Sequence, residues 1–299
     1  MHKPSSASAF APPSGMQELG QREFDTISKL LEAKTGIVMT PDKHTLVRAR
    51  IQRRLRALDL DGFKAYCDYL LGPGGGKEQV AFVNSLTTNL TSFFREPHHF
   101  KHLVEAAIAP LVPAVRRGAP LRIWSAGCST GEEPACIAMM LKSILPEAGR
   151  LDVRILATDI DSDVLRKAYR GVYSAQQVDP VPAELKTKFF DRDKGANGME
   201  AYRVNDHLRE LVRFKKLNLN AAQWPMRGQF DAIFCRNTLI YFDADRQDEI
   251  LKRFHRYLKP GGHLYLGHSE RLSPNTDPLF TRSGMTIFQA LTDCPAKEH

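Results

Sequence analysis

The sequence lacks the cysteine pattern of a stapled or metal-bound fold. Its five cysteines, Cys67, Cys128, Cys136, Cys235 and Cys294, are dispersed, odd in number and form no CxxC pair, so they are read as reduced thiols with no metal role. It also lacks any apolar run approaching the roughly 18 residues that a spanning helix needs, and its first residues do not follow the charged, apolar, small-residue order of a signal peptide. A cytoplasmic protein without direct membrane insertion is expected. There is no GxGxxG string and no loop ending in GK[ST], which disfavours a dinucleotide or a triphosphate as ligand.

What is present suffices for a self-standing core: 299 residues, 42% hydrophobic and 25% charged, with a formal charge of +8. That charge favours an acidic partner without naming it. Residues 1–15, rich in Ser, Ala and Pro and without hydrophobic period, are expected to be a disordered leader. The pattern then becomes helical to about residue 90. Phe24, Ile27, Leu30 and Leu31 recur at three and four, and Val47, Ile51, Leu55 and Leu58 form a second stripe. The segment 41–60 holds six basic residues against two acidic ones, half of the net charge of +8. At about 100° per residue, Arg50 and Arg53 fall away from the apolar stripe and Arg54 borders it, so all three are expected to reach solvent or a partner.

From about Pro120 short β-branched runs alternate with helical patterns, the mark of a parallel sheet with crossover helices. Strands are expected at LRIWSAG (from Leu121), VRILATD (Val153), FKKLNL (Phe214), FDAIFCRN (Phe230) and HLYLGH (His263), with a last one at MTIFQAL (Met285). The stretch Gly171–Leu211 is too long for a simple crossover and reads as an inserted subdomain.

Three places carry chemistry. The first strand runs through a glycine bend, Gly127 to Gly131, into a helix beginning near Glu132, where the backbone can approach a ligand. Glu133 beside this bend would repel a pyrophosphate and suits a ligand with positive charge. The second strand ends at Asp159, about 30 residues on, where doubly wound folds place an acid that binds ribose hydroxyls. Asp161, two residues later, is free to cap the next helix instead. The fourth strand ends in FCRNTLIYF, setting Arg236, Asn237 and Tyr241 at the carboxyl edge of the sheet. Cys235 reads as a core thiol and the adjacent His98 and His99 as structural. GHSE falls at the end of the fifth strand without a G-x-S-x-G elbow.

Together NLTSFFREPHHF (from Asn89), STGEEP (from Ser129), ATDID (from Ala157), FDAIFCRNTLIYF (from Phe230) and GHSE (from Gly267), in this order, resemble the chemotaxis receptor methyltransferase family, CheR. The resemblance spans residues 17 to 291 or so. It implies an α/β fold class: an all-helical receptor-docking domain (16–90), then a doubly wound, Rossmann-like S-adenosylmethionine-dependent methyltransferase domain (91–299) with a small antiparallel β-subdomain inserted at about 171–213. It implies S-adenosylmethionine as cofactor and S-adenosylhomocysteine as product, held by Asn89, Thr91, Arg95, Glu133, Asp159, Asn218, Leu219, Arg236 and Asn237. Tyr241 matches a tyrosine near the transferred methyl, so Arg95 and Tyr241 are the expected catalytic pair.

The reaction implied is methyl transfer to glutamate side chains of methyl-accepting chemotaxis receptors, by a chain working as a monomer. A carboxylate with a pKa of about 4.3 is already ionised at neutral pH, so the enzyme needs alignment and exclusion of water rather than a general base. Arg50, Arg53 and Arg54 would dock on the acidic helical methylation region. Some members also hold a receptor's C-terminal pentapeptide as an added strand. The corresponding loop here, RDKGANG, departs from the RGTG form, and Arg192, Gly195 and Arg203 would form that tether. Two other readings are weighed beside this one. A nucleic-acid methyltransferase fits the basic helix but lacks the Asn-Pro-Pro motif and interleaved aromatics. A catalytically dead adaptor fits poorly with intact Arg95, Glu133, Asp159 and Tyr241.

Overall fold

The computed structural model describes residues 18–73, 75–195 and 198–292; the expected leader and Cys294 lie outside them. The chain divides into two compact units. One runs to Leu30 and resumes over Met39–Leu86; the other comprises Leu31–Val38 and everything from Thr87 on.

The first unit is all-helical. Helix α1 (Gln21–Thr35) passes from it into the second unit, and α2 (His44–Leu58), α3 (Phe63–Leu71) and α4 (Gly75–Leu86) complete it. Val47, Ile51 and Leu55 form the buried stripe of α2 as expected, while Leu58, in its last turn, is half-buried. The helix stops at Asp59, which adopts a left-handed conformation (φ 53°).

One expectation for this unit is corrected. Arg54 does not face outward: its Nε and Nη2 donate to the two carboxylate oxygens of Glu78 at 2.7 and 2.8 Å, and the Tyr66 hydroxyl donates to the same carboxylate at 3.0 Å. Glu78 is buried on α4, and a buried carboxylate requires such partners. Arg50 is half-committed too, with Nη1 donating to the Leu86 carbonyl at 2.7 Å. Of the three arginines, only Arg53 is exposed outright.

In the second unit the helices α5 (Pro97–His102) and α6 (Val112–Arg116) precede β1 (Leu121–Ala126), α7 (Glu132–Ile144), β2 (Val153–Asp159) and α8 (Ser162–Arg170). The insert follows as β3 (Val172–Ser174), α9 (Ala175–Val178), α10 (Ala183–Phe189), β4 (Phe190–Lys194), β5 (Glu200–Val204) and α11 (Asp206–Arg209). The main sheet resumes with β6 (Val212–Lys216), β7 (Phe230–Cys235), α12 (Ala244–Tyr257), β8 (Leu258–Leu266), β9 (Phe280–Gly284) and β10 (Ile287–Ala290).

The seven-stranded sheet has the order β6-β2-β1-β7-β8-β10-β9. Its first five strands are parallel; β10 pairs antiparallel with β8, and β9 antiparallel with β10. The third strand lies two residues earlier than expected, at Val212. The strand β9 is an addition to the reading from sequence: FTRSG has no alternating apolar pattern, and it is held as the outer arm of a hairpin whose turn at Thr286 is left-handed (φ 55°).

Both faces of the sheet are covered, which is why β7, FDAIFC, is apolar apart from Asp231 and buried at every position. Alternate residues serve opposite faces. Ile123, Ala232 and Phe234 join one core with Phe100, Leu103 and Ile137; Trp124, Ile233 and Cys235 join the other with Trp224, Ile250 and Phe254. The second core is built around Trp124, edge-on to Trp224 at 5.1 Å and to Phe254 at 5.2 Å. Its indole N–H is satisfied by Thr158 Oγ1 at 2.9 Å. The insert is a separate antiparallel sheet of order β3-β5-β4.

Candidate active site

Strand order decides where a ligand can sit. The strand β1 leads through α7 and β2 to one side of itself and has β7 on the other, so the sheet reverses direction of growth at β1. In open α/β sheets the crevice beyond the carboxyl ends of the strands at such a point is the ligand site. The Gly127–Gly131 bend follows β1, Asp159 ends β2, Asn218 and Leu219 follow β6, and Arg236 to Tyr241 follow β7. The four segments thus lie along one edge, after four neighbouring strands. A further segment joins them: Asn89 donates through Nδ2 to Asp161 at 2.8 Å, and its carbonyl accepts from Ser129 Oγ at 2.9 Å. This ties NLTSFFRE to the bend after β1.

The bend is shaped by conformations few residues adopt. Gly127 and Gly131 have φ of 81° and 96°, and Ser129 between them is left-handed at 49°. The amide of Ser129 donates to Asp159 Oδ2 at 2.8 Å, and that of Asp161 to Asp159 Oδ1 at 2.9 Å. Burial pushes the Asp159 carboxyl up to about 6, against the pull of these amides. The Ile160 amide is a third donor to this carboxylate, which keeps acceptor capacity for a further one. Asp161 takes the capping role foreseen for one of the two aspartates, accepting from the amides of Asp163 and Val164. It also accepts from Thr87 Oγ1 at 2.8 Å.

Arg95 is the open cation of the site. It is half-exposed, its guanidinium contacts the Leu90 carbonyl at 3.3 Å, and it stands between two left-handed residues, Phe94 (φ 52°) and Glu96 (φ 55°). Two non-glycine residues held so cost of order 1–3 kcal/mol each and cluster at functional sites. Thr91, in the same segment, is half-buried.

Glu133 and Arg236 are not independent ligands. Arg236 Nε donates to Glu133 Oε2 at 2.6 Å, and Ser125 Oγ donates to Glu133 Oε1 at 2.6 Å. Arg236 Nη1 also donates to the Arg95 carbonyl at 2.5 Å and meets His99 Nδ1 at 3.3 Å. The Arg236 side chain is 4% exposed. Glu133 is therefore half of a buried ion pair, which revises the argument that a bare carboxylate selects a cationic ligand; the pair instead locks the Arg95 segment to the ends of β7 and α7. His99 is pushed down to about 3 by burial and by Arg236, and donates from Nε2 to Thr286 Oγ1 at 2.9 Å once Nδ1 is taken as the acceptor for Arg236. It is structural, as expected.

Beyond β6, Asn218 Nδ2 donates to the Lys34 carbonyl at 3.0 Å and its Oδ1 accepts from the Asn220 amide at 2.9 Å. Leu219 is buried, with its carbonyl accepting from Trp224 Nε1 at 3.2 Å. After β7, Asn237 is left-handed (φ 56°) and half-buried, and the Tyr241 carbonyl accepts from the Val38 amide at 2.9 Å. The segment Thr35–Val38 was missed as part of this edge; Gly36, with φ 80° and a would-be Cβ 2.6 Å from Asn220, is the signal that marks it. Glu96 and Glu270 were also missed.

The donor set fits S-adenosylmethionine rather than a phosphate-bearing nucleotide. Asn89, Thr91, Asp159, Asn218 and Asn237 offer amide, hydroxyl and carboxylate groups suited to ribose, adenine and an amino acid. Arg236, the buried cation at this edge, is already neutralised by Glu133. Among the described residues, no group of three or more His, Cys, Asp or Glu is placed to hold a metal.

Away from this edge, Arg192 lies exposed on β4, an outer strand of the insert. Arg203 on β5 pairs with Asp193 at 2.7 Å, and Gly195 opens the loop, its amide donating to the Met199 carbonyl at 2.8 Å. Ala196 and Asn197 of that loop lie outside the described residues. A cleft of about 310 Å³ between α8 and β6, lined by Arg166, Tyr169, Arg170, Phe214, Lys215 and Lys216, contains none of the expected cofactor residues.

A family described as "CheR methyltransferase, SAM binding domain" matches residues 89–288, and one described as "CheR methyltransferase, all-alpha domain" matches residues 22–87. The chain is 39% identical to the "Probable chemotaxis protein methyltransferase" of Rhizobium etli, over 88% of this chain and 97% of that protein. It is 43% identical to "Chemotaxis protein methyltransferase 2" of Pseudomonas aeruginosa, over 93% and 97%. It is likewise 43% identical to the "Chemotaxis protein methyltransferase" of Escherichia coli K12, over 92% and 93%. With both of its units matched and nearly the full length of these relatives covered, the chain belongs to the CheR family of S-adenosylmethionine-binding methyltransferases.

Proposed function

We propose that this methyltransferase transfers the methyl group of S-adenosylmethionine to glutamate side chains of chemoreceptors in the cytoplasm, leaving a glutamate methyl ester and S-adenosylhomocysteine. The observation that carries this reading is Arg95: a half-exposed guanidinium at the cofactor edge whose one bond among the described residues is a long one to the Leu90 carbonyl, on a backbone set by left-handed residues on both sides and by the bond from Arg236 to its own carbonyl. A carboxylate acceptor needs a cation to hold it in line and no base to deprotonate it. Arg95 supplies that cation, and Tyr241 orients the acceptor by a hydrogen bond. Asp159 takes the ribose hydroxyls, and Asn89, Thr91, Asn218, Leu219 and Asn237 complete the cofactor's surroundings. Glu133 and Arg236 act by holding the Arg95 segment and through their main chain.

The partner surface in the helical unit is the exposed part of α2, with Arg53 foremost. Exposed pairs of this kind contribute about 0–1 kcal/mol each, so the association is weak and salt-sensitive. The outer strand β4 with Arg192 and Gly195 offers an edge for an added receptor strand. We take the working form to be a monomer.

Two measurements test the reading. Calorimetric titration with S-adenosylmethionine and S-adenosylhomocysteine is expected to give binding that Asp159→Ala abolishes or weakens severely. Incubation of a receptor cytoplasmic fragment with methyl-labelled cofactor is expected to give label that mild base releases as methanol, as an ester must. Base-stable label would assign the acceptor to nitrogen and overturn the carboxylate reading.

A further inference from the structure

The turn Gly267–Glu270, which reads GHSE, follows β8 and faces the loop after β7. Its last residue is a buried carboxylate, 4% exposed, and burial pushes its pKa up. All its bonds are to main-chain donors. Oε1 accepts from the amides of Thr238 and Leu239 at 2.8 and 2.7 Å, and Oε2 from those of Asn237 and Gly267 at 2.9 and 2.6 Å. Three of these amides are consecutive, and Asn237 among them is left-handed while Thr238 is right-handed. Successive amides in such a conformation form a concave nest that binds anions. Here the anion comes from the chain itself.

The rest of the turn fits this function. A Cβ on Gly267 would lie 2.8 Å from both Asn237 N and Nδ2 and 2.9 Å from Glu270 Oε2, so only glycine leaves the nest open to the carboxylate. The amide and Nδ1 of His268 reach Glu96 Oε1 at 3.0 and 3.2 Å. The turn thus grips both the loop leading to Tyr241 and the left-handed residue next to Arg95.

We propose that Glu270 is a positioning residue for methyl transfer: its carboxylate fills the nest made by the amides of residues 237–239 and fixes the turn that carries Asn237 and Tyr241. The assignment rests on the reading in which Asn237 meets the cofactor and Tyr241 the acceptor. Without the carboxylate, four amides converge on an empty, desolvated point, and the left-handed Asn237 loses what holds it. A displacement of about 1 Å there is enough to lower turnover on the order of 100-fold.

The nest supplies its own test, because a small carboxylate can refill it. Glu270→Ala is assayed for turnover on a receptor fragment and, separately, for S-adenosylmethionine affinity by calorimetry, with formate added or with chloride at equal ionic strength. The expected result is a loss of about 10- to 100-fold in kcat or affinity, restored saturably by formate and not by chloride. A loss that formate leaves unchanged, in step with a fall in the folded fraction, would make Glu270 merely structural and overturn the proposal. If Glu270→Ala does not fold, Glu270→Gln is read instead: it keeps the shape but turns an NH₂ toward two of the amides. Folded Glu270→Gln with wild-type kcat and affinity also overturns it. The calorimetric arm needs no acceptor, so failure of wild type to methylate the fragment would count against the proposed substrate, while formate rescue of affinity would still decide the role of Glu270.

Discussion

The helical unit and the cofactor edge each pair an arginine with a buried glutamate, Arg54 with Glu78 in one and Arg236 with Glu133 in the other. The Arg54 side chain keeps 25% of its surface in solvent and makes a two-pronged bond to a single carboxylate, bracing α2 on α4 with Tyr66. That of Arg236 keeps 4% and spreads its donors over Glu133, the Arg95 carbonyl and His99. The first pair is a strut between two helices. The second is a junction through which three segments of the active site are held, so its loss should propagate where loss of the first should not.

The largest expected effect follows from that difference in burial. Arg236→Met leaves Glu133 as an uncompensated buried carboxylate, which costs about 3–5 kcal/mol. Urea denaturation should show the midpoint falling accordingly, with methyl transfer lost even in the fraction still folded. Arg236→Lys keeps the charge but cannot span three acceptors and should recover only part of either. An Arg236→Met protein as stable as wild type would show that the junction is not what holds these segments.

Next in size is Asp159, where stability and cofactor binding should respond to pH in opposite directions. The free carboxyl ionises near 3.8 and the folded one at about 6. Between those values the folded state holds more protons than the unfolded state, so stability without cofactor falls as pH rises through that window. On the proposed reading, in which ribose hydroxyls donate to the ionised Asp159, cofactor affinity should instead weaken as pH drops below about 6. Asp159→Ala should lose about 30- to 100-fold in affinity at pH 7.5, and Asp159→Asn should flatten both profiles. Calorimetry between pH 5 and pH 7.5 reads both; an affinity independent of pH would remove Asp159 from the ribose.

Truncating the strut should matter less. Glu78→Ala strands the Arg54 guanidinium and the Tyr66 hydroxyl, yet Arg54 can turn to water, so about 1–3 kcal/mol is expected. Cofactor affinity, set in the other unit, should be unchanged. A change in S-adenosylmethionine binding on Glu78→Ala would mean that the two pairs are not the separate devices they look to be.

What the sequence made legible was whatever a local pattern encodes. Strand positions, the Gly127–Gly131 bend, Asp159 at a strand end and the stripe of α2 all follow from periodicity and from residues a few positions apart. Asp161 belongs with them, since a cap is satisfied two and three residues on. What stayed hidden was pairing over distance. Glu78 lies 24 residues from Arg54 and Glu133 lies 103 from Arg236, and nothing in either neighbourhood announces the partner. GHSE was visible as a string, yet its meaning depended on amides about 30 residues earlier. Strand β9 was hidden for another reason: its polar sequence is recruited by the hairpin with β10 rather than by its own pattern.

The smallest effect is the one that separates the two kinds of arginine most directly. Arg53 is exposed on α2, whereas its neighbour Arg54 is turned inward. If the exposed face of α2 meets an acidic receptor surface, Arg53→Ala should weaken that association by about 0–1 kcal/mol, with no change in unfolding midpoint. The loss should shrink as salt is raised, because the Debye length falls from about 10 Å at 0.1 M to about 3 Å at 1 M. Arg54→Ala should do the reverse: lower the midpoint by stranding Glu78 and leave the salt dependence of receptor KM as it was. Measuring both variants against one receptor fragment at two salt concentrations tests this assignment. Equal, salt-sensitive losses in KM with neither variant destabilised would mean that Arg54 leaves Glu78 to meet the receptor, and that the strut is a resting place for a docking residue.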